Sequence, residues 1–513
     1  MPTKLPTILL FHTLALGLAS AQDEPPPPPK PEHVEQPPSI TEHEITVNGS
    51  VLRYDVTTGK LPIKTDEGEL EGEIFFMAYT LKDPDASTRR PLTFSFNGGP
   101  GSASVWLHLG MLGPRRVTML EDGGMPAPPY ELADNEHTWL DLTDIVFIDP
   151  VGTGFSRPAS PDKGDEFWGL EQDIQSVGEF IRLYLTRYQR WSSPLYLIGE
   201  SYGTTRAAGL SGYLVQRSGI AFNGVILVSS VMNFQTIRFA EGNDLPYMTY
   251  LPTYTATAWY HKRLAPELQA DLSEALAEVK AWALDEYWVA LAKGAALEPA
   301  ERRETIEKLA RYTGLSEEFI DQADLRIEAG RFRKELLRDE KYTVGRLDSR
   351  FRGMDRDEAG ERYEFDPSMV AIRPPYTAAF NDYVRRELGY ENDQHYWILG
   401  GGIGRWNFGD NGRFPDTSES LRDAMLRNTY MKVFVASGYY DMATPFFATE
   451  YTLNHLGLPE VLQDNVRIEE YDAGHMMYIH GESLAKVKTD ITSFYSDTKT
   501  MGERGDANVP GAR

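Results

Sequence analysis

Short apolar runs recur along the chain at 92–96, 145–148, 195–198, 225–228, 432–436 and 466–471, most of them closed within two residues by Gly or Asp. Runs of this length between turn formers predict buried strands. Polar and apolar positions take up a helical period between several of them, most clearly over 171–188. Strands alternating with helices predict a mostly parallel sheet covered on both faces, hence an α/β architecture. Ahead of the series, Ile45-Thr46-Val47 and Val51-Leu52-Arg53-Tyr54 flank Asn48-Gly49, two residues that tolerate positive φ and so predict a hairpin turn. Between 233 and 375 the texture changes to long charged helical stretches at 265–293, 301–312 and 316–339, which predict a helical cap inserted into the strand series. Strand signals return after Tyr430, and 483–495 has the period of a closing amphipathic helix.

The ends of the chain read differently from its middle. Lys4, the apolar run 9–18 and Ala19-Ser20-Ala21 form an export signal with a small-residue cleavage site, so 1–21 are expected to be removed and the mature chain to be periplasmic or extracellular. A Pro-rich linker at 22–42 contains the run 25–29. The expected division is then core at 43–232, cap at 233–375, core again at 376–497 and a polar tail at 498–513. No later window approaches the roughly 20 apolar residues that cross a bilayer, so no stable membrane insertion is expected. A formal charge of −25 without a Lys/Arg stripe argues against nucleic acid as a partner. The chain has no cysteine, which excludes disulfides, a thiol nucleophile and thiolate zinc sites. Asp355, Asp357 and Glu358 cluster in sequence and are read as a solvated face; no metal or cofactor is expected. Nothing in the pattern sets an oligomeric state.

Chemistry enters with Gly199-Glu200-Ser201-Tyr202-Gly203, which follows the run 195–198 and precedes the small-residue stretch 204–210. Strand, turn and helix in that order form a nucleophile elbow, and the α/β pattern around it predicts the α/β-hydrolase fold. A serine hydroxyl is a poor nucleophile at neutral pH, so Ser201 needs a base, and the base needs an acceptor that fixes its tautomer. In this fold both follow the serine, acid first. Asp441, after Ser437-Gly438, and His475, in Ala473-Gly474-His475, stand at the C-terminal ends of predicted strands, where open α/β sheets build their sites. His455 and His480 compete as base, and Asp472 competes as acid. Asn97-Gly98-Gly99-Pro100-Gly101 presents consecutive glycines whose bare N–H groups suit an oxyanion hole together with the Tyr202 N–H. A tight strand-to-helix turn is the other reading of that loop.

Together these segments resemble the serine carboxypeptidase family, whose members carry an Asn-Gly-Gly-Pro-Gly loop, an Asp-x-Pro-x-Gly-x-Gly-Phe-Ser segment, a Gly-Glu-Ser-Tyr elbow and a late Ala-Gly-His-Met. Here the second motif is met by Asp149-Pro150-Val151-Gly152-Thr153-Gly154-Phe155-Ser156, with Pro150 directly after the Asp, and the last is Ala473-Gly474-His475-Met476. The resemblance implies Ser201, Asp441 and His475 as triad and the Gly99 and Tyr202 N–H groups as oxyanion hole. It also implies that Asn97, the Gly98 N–H and Glu200 bind the α-carboxylate of a peptide's last residue. Three features depart from the pattern: Met111, the stretch Gly203-Thr204-Thr205-Arg206, where many members have Ala-Gly at the first two positions, and the absence of cysteine, which touches stability rather than chemistry. Met111 stands where the family carries the Glu of a Glu-Leu-Gly-Pro segment, which leaves carboxylate recognition to Glu200 and Asn97, or to these two helped by Arg116. Arg206 stands where many members have an aromatic, and is read as a surface residue of the helix, with a reach toward substrate as the alternative.

The expected function is a secreted serine carboxypeptidase acting on peptides through an acyl-enzyme. An esterase or acyltransferase on the same triad is the alternative, favoured by Met111. A non-catalytic binding protein on this fold would be expected to lack a triad member, and none is missing.

Overall fold

Four of the six apolar runs form strands buried at every position, Leu92–Phe96, Asp144–Asp149, Leu195–Glu200 and Gly224–Val228, as strands sandwiched between two layers must be. The computed structural model describes residues 34–82, 90–409 and 412–504. In chain order the main strands are β1 (Ser39–Val47), β2 (Ser50–Lys64), β3 (Leu70–Leu81), β4 (Leu92–Phe96), β5 (Asp144–Asp149), β6 (Leu195–Glu200), β7 (Gly224–Val228), β8 (Lys432–Gly438) and β9 (Val466–Tyr471). They lie in the order β1-β2-β3-β5-β4-β6-β7-β8-β9, and the short strand Arg157–Pro158 pairs with β3. β1, β2 and β3 are antiparallel, and β3 pairs antiparallel with β5. From β5 to β9 every pairing is parallel. The hairpin expected at Asn48-Gly49 joins β1 to β2, both turn residues having positive φ and Val47 facing Ser50.

Alternate residues of the strands Asp144–Asp149, Leu195–Glu200, Gly224–Val228 and Lys432–Gly438 feed two cores. Ile226 and Val228 join one cluster with the closing helix Gly481–Arg504. Val225 and Leu227 join the other with the helix Leu170–Arg187 and the helix after the elbow, Tyr202–Arg217. A third cluster is built from the helical insertion, from Leu245 to Val344, and includes Tyr440, Met442, Phe446 and Phe447 from the segment after β8. The insertion is thereby packed onto the loop that bears Asp441. Residues Gln36–Arg513 form one unit.

Several boundaries differ from expectation. Pro375 was the expected end of the cap, yet it lies inside the helix Pro367–Arg386. That helix sends Ile372, Tyr376 and Phe380 into the first core. The stretch 316–339 is broken into Glu317–Gln322 and Ala329–Glu335, with positive φ at Asp324 and Leu325 between them. The closing helix runs on to Arg504, into the expected tail. At the other end β1 begins at Ser39, inside the expected linker, and Pro38 packs against Gly59. The expected signal at 1–21 and the linker up to residue 33 fall outside the described residues. No helix among the described residues is long and apolar enough to cross a membrane.

Candidate active site

Ser201 sits between the end of β6 and the helix Tyr202–Arg217 with φ 60° and ψ −131°. A non-glycine residue there stores about 1–3 kcal/mol of strain, which the surrounding contacts must offset. The flanking glycines show why the turn is so tight. A Cβ on Gly199 would lie 2.1 Å from the Gly203 oxygen, and one on Gly203 would lie 2.9 Å from the Phe96 oxygen. The Ser201 N–H donates to the Val228 carbonyl at 3.0 Å, which ties the elbow to the end of β7.

The next residue after that strand, Ser229, connects the elbow to the base. Its hydroxyl donates to the His475 carbonyl at 2.6 Å. The His475 ring donates from Nδ1 to Asp441 Oδ2 at 2.7 Å, and both side chains are buried. Asp441 Oδ1 accepts the N–H groups of Ala443 (2.7 Å) and Thr444 (3.0 Å), while the Thr444 hydroxyl lies 2.8 Å from Oδ2. Such a network fixes the carboxylate and, through Nδ1, leaves His475 Nε2 as the bare nitrogen. Burial pulls the imidazole pKa down, but the Asp441 charge and hydrogen bond outweigh it and leave His475 raised. The insertion holds both loops. Leu347 accepts the His475 N–H at 2.6 Å, Asp348 Oδ2 accepts the Gly474 N–H at 3.1 Å, and the Arg346 carbonyl accepts the Met442 N–H at 3.0 Å.

On the other side of the elbow, the loop after β4 comes against the start of the helix. A Cβ on Gly98 would lie 2.4 Å from the Tyr202 nitrogen and 2.5 Å from the Gly203 nitrogen, so only glycine permits this approach. Gly99 has φ +104°, again a glycine conformation. Asn97 is buried; its Oδ1 accepts the Leu107 N–H at 3.1 Å, and its Nδ2 makes no well-formed hydrogen bond. Glu200 is buried beside it and accepts from the Tyr478 hydroxyl at 2.5 Å. Burial pushes the Glu200 carboxyl up to about 7, against the opposing influence of nearby His475 and Tyr478.

Arg206 is not on the surface. Its guanidinium is 1% exposed, donates to Asp173 Oδ2 at 2.8 Å and to the Asn97 carbonyl at 2.7 Å, and lies over the Phe96 and Tyr202 rings. A helical period alone could not show this, because Asp173 and Asn97 come from distant parts of the chain. Removing one member of a buried ion pair leaves the other uncompensated, so Arg206→Met is expected to cost about 3–5 kcal/mol in denaturant unfolding. Pairing it with Asp173→Leu is expected to recover part of that loss.

The rivals considered in the sequence stand apart. His455 is exposed and contacts the Tyr451 carbonyl, His480 contacts Ser483, and Asp472 is exposed. Met111 is buried in the first core, and Arg116 is half-buried with its charge reaching Tyr376. The acidic cluster is not a solvated face. The buried ammonium of Lys334 contacts Asp355 Oδ2 at 2.6 Å, Glu358 Oε2 at 2.9 Å and the Asp357 carbonyl at 3.2 Å. No group of three or more His, Asp or Glu among the described residues could hold a metal ion. Thr444, Ser229, Asp173 and Tyr478 went unnoticed in the sequence. Thr444 had a local signal, an Asp-x-x-Thr spacing that suits a side-chain turn, and the others had none.

The serine carboxypeptidase family matches residues 57–488. Serine carboxypeptidase-like 8 of Arabidopsis thaliana is 30% identical over 203 residues, covering 39% of this chain and 42% of that protein. Pheromone-processing carboxypeptidase KEX1 of Saccharomyces cerevisiae is 31% identical over 155 residues, covering 28% of this chain and 20% of that protein. The chain thus spans less than half the length of these relatives. The solved structure of a prohormone-processing carboxypeptidase from Saccharomyces cerevisiae matches with a TM-score of 0.51 at 18% identity, over 86% of this chain and 91% of that one, and shows the α/β-hydrolase fold.

Proposed function

Since the chain belongs to the serine carboxypeptidase family, we propose that it removes the C-terminal residue of peptides through an acyl-enzyme on Ser201. One observation carries the exopeptidase reading: a buried carboxyl, Glu200, adjoins the nucleophile beside a buried amide, Asn97, whose Nδ2 makes no well-formed hydrogen bond and whose nearest polar neighbours are Glu200 and Tyr478. A terminal α-carboxylate is the group that such a pair would accept. Glu200 in its acid form donates one hydrogen bond to it, and Asn97 and the Gly98 N–H donate others. Only a chain end brings that carboxylate, so the scissile bond is the last one.

In this mechanism His475 Nε2 takes the Ser201 proton as Oγ attacks the carbonyl carbon. The developing oxyanion accepts the N–H groups of Gly99 and Tyr202. His475 then returns its proton to the leaving amine, and the C-terminal amino acid departs. Water attacks the ester after losing a proton to His475, which passes it to Ser201 as the shorter peptide leaves. Asp441, hydrogen-bonded to Nδ1, holds the imidazolium that forms twice per cycle. The apolar run and small-residue cleavage pattern at the N-terminus support export as the setting for this activity.

Two ionisations bracket the reaction in opposite senses. His475 must be neutral, so activity falls as pH drops through its raised pKa. Glu200 must be protonated, so recognition of a free carboxylate is lost as pH rises through about 7. For a blocked dipeptide, kcat/KM is expected to fall above pH 7, approaching tenfold per unit. Its C-terminal ester, which offers no carboxylate, is expected to keep its activity on that side. Buried, apolar Met111 favours the esterase or acyltransferase reading, because it offers Glu200 no proton-sharing partner. Identical profiles for acid and ester, or ester cleavage alone, would decide for that second reading.

A further inference from the structure

Tyr478 lies just beyond His475 in the turn Met477–Ile479 and is fully buried. Its hydroxyl donates to Glu200 Oε2 at 2.5 Å. The backbone makes room for the ring: a Cβ on Gly110 would lie 2.5 Å from Tyr478 Cε2 and 2.6 Å from the Tyr376 hydroxyl. Resting on the carboxypeptidase reading, we propose that Tyr478 is a positioning residue which, by occupying Glu200 Oε2, keeps the acid proton on Oε1 for donation to the peptide's terminal carboxylate. Burial and the neighbouring Glu200 charge raise the phenol pKa well above its ordinary value, so Tyr478 keeps its proton throughout the working range. It donates to Glu200 without titrating itself, which Met111 could not do.

Other groups also face Glu200. They are His475 after β9, Asp441 after β8, Asn97 after β4 and Tyr376 on the helix Pro367–Arg386. All remain when Tyr478 is changed. A donor to a carboxylate favours the ionised form, so losing it must raise the Glu200 pKa further.

The test is the pH dependence of kcat/KM in the full chain, for a blocked dipeptide and its ester, in wild type and Tyr478→Phe. The alkaline limb for the dipeptide is expected to move to higher pH in Tyr478→Phe. The dipeptide-to-ester ratio of kcat/KM is expected to fall on the order of tenfold at the plateau, mainly through KM. Should that variant not fold, 3,5-difluorotyrosine at position 478 is a stronger donor of nearly the same shape, and the limb is expected to move to lower pH. A limb that stays in place in whichever variant folds, or dipeptide and ester activities that fall together, would overturn the role of Tyr478. If wild type itself fails to separate dipeptide from ester, the carboxypeptidase reading fails instead.

Discussion

Replacing Ser201 by alanine is expected to lower kcat on a blocked dipeptide by about 10⁶-fold while leaving peptide affinity nearly intact. The elbow holds Ser201 in a strained backbone conformation and ties it to Val228 through its backbone N–H, not its hydroxyl. The Ser201→Ala variant would keep the Gly199 and Gly203 contacts, Asn97 and Glu200, so binding should survive when chemistry stops. Equilibrium binding of the uncleaved peptide to the variant, set beside its turnover, checks both halves. Loss of affinity in parallel with kcat would mean that the site had collapsed.

Asp441→Asn is expected to cost about 10⁴-fold in kcat. The Asp441 carboxylate accepts at both oxygens, from Ala443 and Thr444 N–H at Oδ1 and from His475 Nδ1 at Oδ2. An amide cannot accept at both ends. Its NH₂ would have to face either two backbone N–H groups or the imidazole. If it faces the ring, His475 must accept at Nδ1 and carry its proton on Nε2, where it cannot act as base. Stopped-flow acylation by an activated ester measures the loss directly, and Thr444→Val, which removes the hydroxyl contacts to Oδ2 and to the Ser229 carbonyl but leaves Asp441 paired with His475, should fall well short of it.

What was legible in the sequence was local. The strands announce themselves as short apolar runs, the hairpin as Asn48-Gly49 and the elbow as glycines around Ser201, because each depends on neighbours in the chain. The pairing of Asp441 with His475 followed from chain order within a known topology. Arg206 was misread because its partners, Asp173 and the Asn97 carbonyl, come from another helix and another loop. The cluster at Asp355 and Glu358 looked solvated because nothing nearby in sequence announces Lys334 as its counter-charge. The cap was expected to end at 375, yet the helix Pro367–Arg386 continues through Pro374 and Pro375 and packs Tyr376 and Phe380 into the core. Tyr478 stands a few residues from His475 in plain view, but its meaning depends on Glu200 at the end of β6.

The insertion has a role that its composition did not reveal. It supplies the carbonyls of Leu347 and Arg346 and the carboxylate of Asp348, which together hold the two loops of the triad. Asp348 is itself paired with Arg350, whose guanidinium also reaches the Asp472 carbonyl. A loop of the insertion, far from the nucleophile in sequence, thus holds the segments that carry acid and base.

The most direct test of the central claim is the product of a peptide of defined sequence incubated with the enzyme near pH 6, followed by mass spectrometry against its C-terminal amide. The account predicts loss of the last residue as a free amino acid from the acid peptide, little or no loss from the amide, and neither from Ser201→Ala. Cleavage inside the peptide, or equal cleavage of acid and amide, would contradict recognition of a free α-carboxylate beside Ser201.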